Sequence, residues 1–373
     1  MLREILILAL AGCTVVPGLS AQMTVSITDE LACPSCTIRS QRVSTLGRLD
    51  APVSPQLYAS AERDTHGNFW VAPVFSPYEV AVYGPDGEFL QTRGRQGDGP
   101  GEFRLIKRVH LGPGDQVHVF EYGNRYSRFS PGMERLLYTR RLAFQADDVR
   151  FMPDGSVLVS HVPRHGERFK DAFYVLDPDG SVRSSFGRFD TDVLDRFRNT
   201  EVVFRRLTEL TGNRFWASWT TRYRLEQWDL NGDLVVVLER VAPWYPDWTG
   251  QPSPNFLRQR PFPRITTAWE DPDRRLWVVT AVPDTRWRAA PRTTALHPDS
   301  LAAVGISMHT SFDSVVEVID LATMRVITRR RFDNLIYGAV GSENLVFVNR
   351  GTEWGDVVMD VMQLTLNTTE RSD

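Results

Sequence analysis

Short apolar runs of four or five residues, each fed by a tight polar turn, recur along most of the chain. Asp64–Gly67 leads into Asn68–Ala72, Gly112–Asp115 into Gln116–Phe120, and Pro153–Gly155 into Ser156–Ser160. Thr211–Asn213 then leads into Arg214–Ser218, Asp271–Arg275 into Leu276–Thr280, and Gly341–Asn344 into Leu345–Asn349. The runs are too short for helices and are rich in Val, Phe and Trp, so each reads as a buried strand. Six copies of this turn and strand, spaced about 40 to 70 residues apart, point to a repeat architecture.

A second unit follows each of the first five: strand, tight turn, strand. Glu79–Tyr83 and Glu88–Thr92 flank Gly84–Gly87, and Tyr126–Phe129 and Glu134–Tyr138 flank Ser130–Gly132. Phe173–Leu176 and Ser181–Ser185 flank Asp177–Gly180, and Leu225–Trp228 and Asp233–Leu238 flank Asp229–Gly232. Val315–Ile319 and Met324–Thr328 flank Asp320–Thr323. Pro-Asp-Gly and Asn-Gly supply the positive φ that such turns require. The last copy has only one strand of its pair, Val357–Leu366, and the polar-apolar stretch Thr37–Leu46 near the other end supplies its partner. The sequence therefore predicts an all-β, six-bladed β-propeller with four-stranded blades, closed by an N-terminal strand that completes the last blade. Closure of this kind removes the free sheet ends.

The joint between the first and second units is GRQGDGPGEF, Gly94–Phe103. A phosphate-binding loop would continue into Gly-Lys-Ser/Thr and a helix; here Gly-Glu-Phe leads toward a strand, so the glycines serve a backbone crossing between blades. This run resembles the linker of NHL-repeat, TolB-like and related bacterial six-bladed propellers. Glu121–Arg125 and Tyr126–Phe129 resemble the D-x-x-N-x-R…F segment of NHL repeats, with Glu121 in place of Asp. Cys33–Ile38 resembles the start of exported six-bladed propeller proteins of uncharacterised function. The resemblance spans residues 33–366 and implies the fold and export rather than an activity.

Arg3, the apolar run Ile5–Leu10, the break at Pro17-Gly18 and the small residues Leu19–Ala21 predict an export signal cleaved before Gln22. Residues 22–373 then form one domain with insertions near 241–264 and 281–314, placed in the periplasm or outside the cell. Leu10-Ala11-Gly12-Cys13 gives the alternative of a lipidated Cys13 and a membrane-anchored lipoprotein. No later segment is long and apolar enough to span a bilayer as a helix. In an exported chain Cys33 and Cys36 are expected to form a local disulfide, because neither a second C-x-x-C nor a following His supports zinc or haem.

Composition narrows the partners. Of 373 residues 42% are hydrophobic and 24% charged, a globular balance, and a net charge of −3 provides no pull toward nucleic acid. Residues at the blade junctions are placed to converge on a central channel: Lys107, Arg108, Asp147, Asp148, Arg205, Arg206, Arg264 and Asn334. Loops within blades add Glu121, Asn124, His161, Trp219 and Arg350. Arginine, carboxylate and aromatic side chains together suit a polar ligand, so the candidate binding set is Arg108, Asp147, Asp148, His161, Arg206, Trp219, Arg264 and Arg350. The competing reading of each is a surface or structural ion pair. Trp244, Tyr245, Trp248, Phe256 and Trp287 in the insertions are candidates to stack on a sugar or peptide, or to pack as a lid, and Pro298–Val304 suits a short helix. No cofactor is expected. Calcium or zinc would need three convergent carboxylate, Asn or His ligands; His110, His118 and His161, on strands or strand ends of the second and third blades, read as core or channel residues rather than ligands, and His165, His297 and His309 lie in loops with no spaced partner. The expected function is a binding module for a ligand, peptide or protein partner on the loop-rich face. The alternatives are a metal-dependent hydrolase, lactonase or lyase in the channel, and a structural part of an envelope assembly.

Overall fold

The computed structural model describes residues 23–47, 60–72, 78–163, 167–189, 204–246, 259–289, 311–341, 343–351 and 357–368. Six antiparallel sheets form a ring of blades. The innermost strands are Ser60–Arg63, Ile106–Leu111, Asp148–Phe151, Arg205–Leu207, Arg264–Glu270 and Ile336–Val340, for blades 1 to 6 in turn. The ring is closed in space as well as in count, for Ile336–Val340 of blade 6 lies against Ser60–Arg63 of blade 1.

The recurrent turns explain why the repeats fold. Asp64 accepts hydrogen bonds from the backbone N–H of His66 (2.9 Å) and Asn68 (2.8 Å) and from Trp70 Nε1 (3.0 Å). Asp271 does the same for Asp273 (3.0 Å), Arg275 (3.0 Å) and Trp277 Nε1 (2.8 Å). One carboxylate thus satisfies the turn's donors and orients the indole of the strand that follows. Those indoles enter the seams between blades, where the core lies. It consists of six apolar wedges, one between each pair of neighbouring blades, rather than a single central cluster.

GRQGDGPGEF is a structural joint. Arg95–Gln96 pairs in parallel with Glu102–Phe103, and the Phe103 ring is buried between blades 1 and 2. Gly94 has φ +92, and a Cβ there would sit 2.6 Å from the Phe103 ring. The Glu102 carboxylate takes the N–H of Gly99 (2.8 Å) and Arg95 Nε (2.9 Å).

Closure follows the expected pairing. Thr37–Leu46 runs antiparallel to Val357–Asn367 from Thr37 opposite Asn367 to Leu46 opposite Met359, with a bulge between Arg42 and Ser44. The chain upstream does more than sequence patterning indicated. Met23–Ile27 adds in parallel to the outer strand of blade 4, Leu234–Arg240, as a fifth strand. Leu31–Cys33 then crosses the outer edge of blade 5, where Ala32 N–H donates to Val326 O (2.7 Å) and Cys33 N–H to Ile327 O (3.0 Å). Residues 23–46 are therefore a strap over three consecutive blades. Asp29 fastens it, 2.5 Å from the Arg240 guanidinium and 2.7 Å from that of Arg329. Arg240 is fully enclosed and also holds Glu317 at 2.8 Å. The Cys33–Cys36 disulfide is formed where the strap turns into the closing strand. Residues 1–22, the site of the expected signal and of Cys13, lie outside the described residues, as do Trp248, Phe256 and Pro298–Val304. No described helix is long and apolar enough to cross a membrane.

Two outcomes test this architecture. Removing residues 1–46 leaves Val357–Asn367 as an open edge and is expected to abolish the cooperative melt of the ring and to bring aggregation, read by calorimetry and light scattering. Replacing Cys33 and Cys36 by Ser leaves the strand pairing in place. It is expected to cost about 2 kcal/mol, the loop-closure entropy of a four-residue ring, and to lower the melting temperature by a few degrees.

Candidate functional site

Successive residues of a strand point to opposite sides, so alternate residues of each innermost strand reach the axis. In blade 2 these are Arg108 and His110, in blade 3 Asp148 and Arg150, and in blade 4 Arg206. They line one recess with Ser60 and Glu62 of blade 1, Thr266 and Thr267 of blade 5, and Tyr337 to Ala339 of blade 6. Its empty volume, open mouth included, is about 560 Å³. Glu62, His110 and Arg150 also border a second opening on the opposite face, with Glu209. Ionic groups crowd the side of blades 1 to 4, whereas hydroxyls and small residues line the side of blades 5 and 6.

Asp148 is the hub of the ionic side. Its carboxylate accepts the backbone N–H of Leu207 (2.9 Å) and Val149 (3.2 Å) and lies 3.3 Å from Arg150 and 3.9 Å from Arg108. Burial opposes its charge, but Arg150, Arg108, Arg206 and the Leu207 N–H outweigh burial and hold the carboxyl well below the usual range. Arg150 also lies 3.0 Å from Glu209. Burial pushes the Glu209 carboxyl up against the pull of Arg150, although solvent in the channel reaches about half of its side chain. Glu62 lies 2.7 Å from His110 Nδ1. Arg206 is lowered by burial first, with the Arg108 and Arg264 guanidinium groups adding to the effect.

The candidates predicted from sequence divide by position. Arg108, Asp148 and Arg206 meet in the recess. Arg264 begins the innermost strand of blade 5, its guanidinium 4.8 Å from the centre of the Phe312 ring. The other four belong to networks inside blades or between neighbours. Asp147 binds Lys107 Nζ (2.6 Å) and the N–H of Val162 (2.9 Å). His161 is buried, with Nδ1 3.0 Å from Gln145 O and Nε2 3.2 Å from Glu167. Trp219 lies under the Arg205 guanidinium and donates to Glu226 (2.8 Å). Arg350 grips Asp360 through Nε (2.8 Å), and Asp360 also accepts from Thr45 (2.6 Å), which ties the closing strand to its neighbours. Among the insertion aromatics, Tyr245 is buried and its hydroxyl donates to Thr220 O (2.8 Å). Sequence reasoning did not assign Glu62, Arg150, Glu209 and Tyr337 to the channel. The available signal was the i, i+2 alternation from Arg108 and from Asp148. No cluster of three or more His, Cys, Asp or Glu side chains is placed to hold a metal ion among the described residues.

The architecture is shared with known structures. A protein of Bacteroides fragilis NCTC 9343 described as exported superposes with a TM-score of 0.60 at 10% identity, covering 93% of this chain and 100% of that one. Virginiamycin B lyase of Staphylococcus aureus, as an inactive variant with quinupristin, gives 0.47 at 10% identity over 87% and 99%. The Pan2 WD40 domain of Neurospora crassa gives 0.45 at 11% over 87% and 94%. No protein-family profile matches the chain, and no curated protein does. At this identity the first likeness extends to the fold, and function has to be argued from the site.

His118 supplies a pH test of the packing beside the channel. It is 2% exposed, its Nδ1 is 2.8 Å from the Tyr126 hydroxyl, and its ring centre is 4.0 Å from that of Phe151. Burial, reinforced by Arg128 and His110, pushes the imidazole down to about 3. The unfolded chain therefore binds a proton here that the folded chain does not, so this contribution is complete above the ordinary histidine value and falls from about pH 6.5 toward pH 3. Replacing His118 by Phe is expected to flatten the pH dependence of denaturant-unfolding stability in that window while leaving the value at pH 8 within about 2 kcal/mol of wild type.

Proposed function

We propose that this chain is an exported binding module that takes a small polar ligand into its central channel from the loop-rich face. The observation that carries the reading is the recess itself. Charged side chains from the innermost strands of blades 1 to 4 face hydroxyls and small residues from blades 5 and 6 across empty space. Rigid strands hold these groups, so a ligand meets a preorganised site and little ordering opposes binding. Export is supported by the N-terminal sequence, by the Cys33–Cys36 disulfide and by the exported neighbour of the same fold. An NHL-like ancestry accords with the Gly94–Phe103 joint.

A second reading, an enzyme working in the same channel, draws on one contact. Glu62 abuts His110 Nδ1, the geometry in which a carboxylate orients an imidazole for proton transfer.

Thr267 lines the recess on the neutral side, and replacing it by Trp fills the space without removing a charge. In a thermal-shift and calorimetric screen of small polar metabolites, ligands of wild type are expected to bind the Thr267→Trp variant at least tenfold more weakly. Undiminished binding would place the site elsewhere. Recovery of the ligand chemically changed by wild type but not by His110→Ala would favour the enzyme.

A further inference from the structure

We infer that the recess holds an oxyanion, a carboxylate or a phosphate, between the guanidinium groups of Arg108 and Arg206. The inference rests on the channel reading and names the chemistry of its ligand.

Most charges around the channel are paired. Arg150 is saturated: it donates to Val149 O (2.6 Å) and Leu207 O and lies within ion-pair distance of Asp148 and Glu209. Glu62 is taken by His110. Asp148 spends its oxygens on two backbone N–H groups and Arg150. Arg108 lies 3.9 Å from Asp148, the outer limit of an ion pair. When these pairs are complete, Arg206 remains. Among the described residues no hydrogen bond or ion pair reaches its guanidinium, its Nε is buried without a partner, and the guanidinium lies 5.3 Å from the centre of the Phe204 ring.

A guanidinium buried at its Nε with no hydrogen-bonded or ion-paired carboxylate is costly; Asp148 attracts it only from beyond ion-pair distance, and the cationic neighbours Arg108 and Arg264 raise the cost. Among the described residues the enclosed Arg240 is answered by Asp29 and Glu317, and Arg205 by Glu226. Arg206 instead lines an open recess. A bound anion supplies the missing charge, and the planar fork of a guanidinium selects paired oxygens over a spherical halide. The Asp148 carboxylate, 3.9 Å from Arg108, repels an anion, so the oxyanion is held on the side of the guanidinium groups away from it, with the rest of the ligand toward Thr267 and Tyr337.

The test is a melting-temperature and calorimetric titration of residues 22–373 in a buffer free of oxyanions, with acetate, succinate, inorganic phosphate and chloride at matched ionic strength. A saturable rise with a carboxylate or with phosphate, absent with chloride, is expected, and the stronger of the two identifies the source. Arg206→Gln is expected to weaken that response at least tenfold, and to melt no lower than wild type without ligand because it removes an unanswered charge. Arg183→Gln, an exposed arginine paired with Asp177, is expected to keep the full response. An equal effect of chloride, an unchanged oxyanion response in Arg206→Gln, or a lowered ligand-free melting temperature in that variant would overturn the inference. A neutral ligand lost in Thr267→Trp but kept in Arg206→Gln would also overturn it while leaving the channel reading intact. A ligand kept by both variants would sink both.

Discussion

The pairing of Thr37–Leu46 with Val357–Asn367 is the contact on which the rest of this structure depends. A row of blades has two ends, and each end presents unsatisfied strand edges and an uncovered apolar wedge. Pairing the chain termini in one sheet brings blade 6 against blade 1 and completes the sixth wedge, where Phe69 and Tyr83 of blade 1 pack with Phe347 and Met359 of blade 6. The functional consequence is direct. Ser60 and Glu62 stand on one side of that seam and Tyr337 to Ala339 on the other, so the recess exists only in the closed ring. Closure, the sixth wedge and the candidate site thus depend on one strand pairing.

Buried charge is handled in two ways in this ring. Within blades it is answered locally. Glu226 lies under burial that favours its neutral form, yet Arg205, Arg224 and the Trp219 N–H keep its carboxyl below the usual range. The strap supplies Asp29 to Arg240 in the same manner. Around the axis the pairing is incomplete, and the shortfall falls on Arg206. Networks that are fully satisfied fix a structure; one that is short of a partner, beside open space, leaves room for a ligand to complete it.

The fold was legible because its turns have strict chemical needs. Asp at the start of a turn and Gly or Asn at its end announce each hairpin, and the apolar runs that follow announce the second strand of each blade. The innermost strands were harder to read. Ser60–Arg63 and Arg205–Leu207 are short and put polar side chains on the axis, so they lack an apolar alternation. This is also why the site was only partly legible: charges at blade junctions drew attention to Arg108, Asp148 and Arg206, but the register that adds Glu62 and Arg150 is a property of paired strands. Asp147, Trp219 and Arg350 carry the same residue types for a different purpose, and only their partners reveal it. Met23–Ile27 was not foreseen, because a strand that adds in parallel to an outer edge needs no turn and leaves no turn signature.

The direction of that added strand fixes how the ring can be held. Met23 pairs opposite Val236 and Ile27 opposite Arg240, so the strap begins near the 3–4 turn of blade 4 and runs toward the face of the blade junctions. Met23 thus stands at the outer rim on the face away from the blade junctions, the back edge of the disc. A pull applied at Met23 therefore loads blade 4 through a row of parallel backbone hydrogen bonds before any force reaches the closing seam.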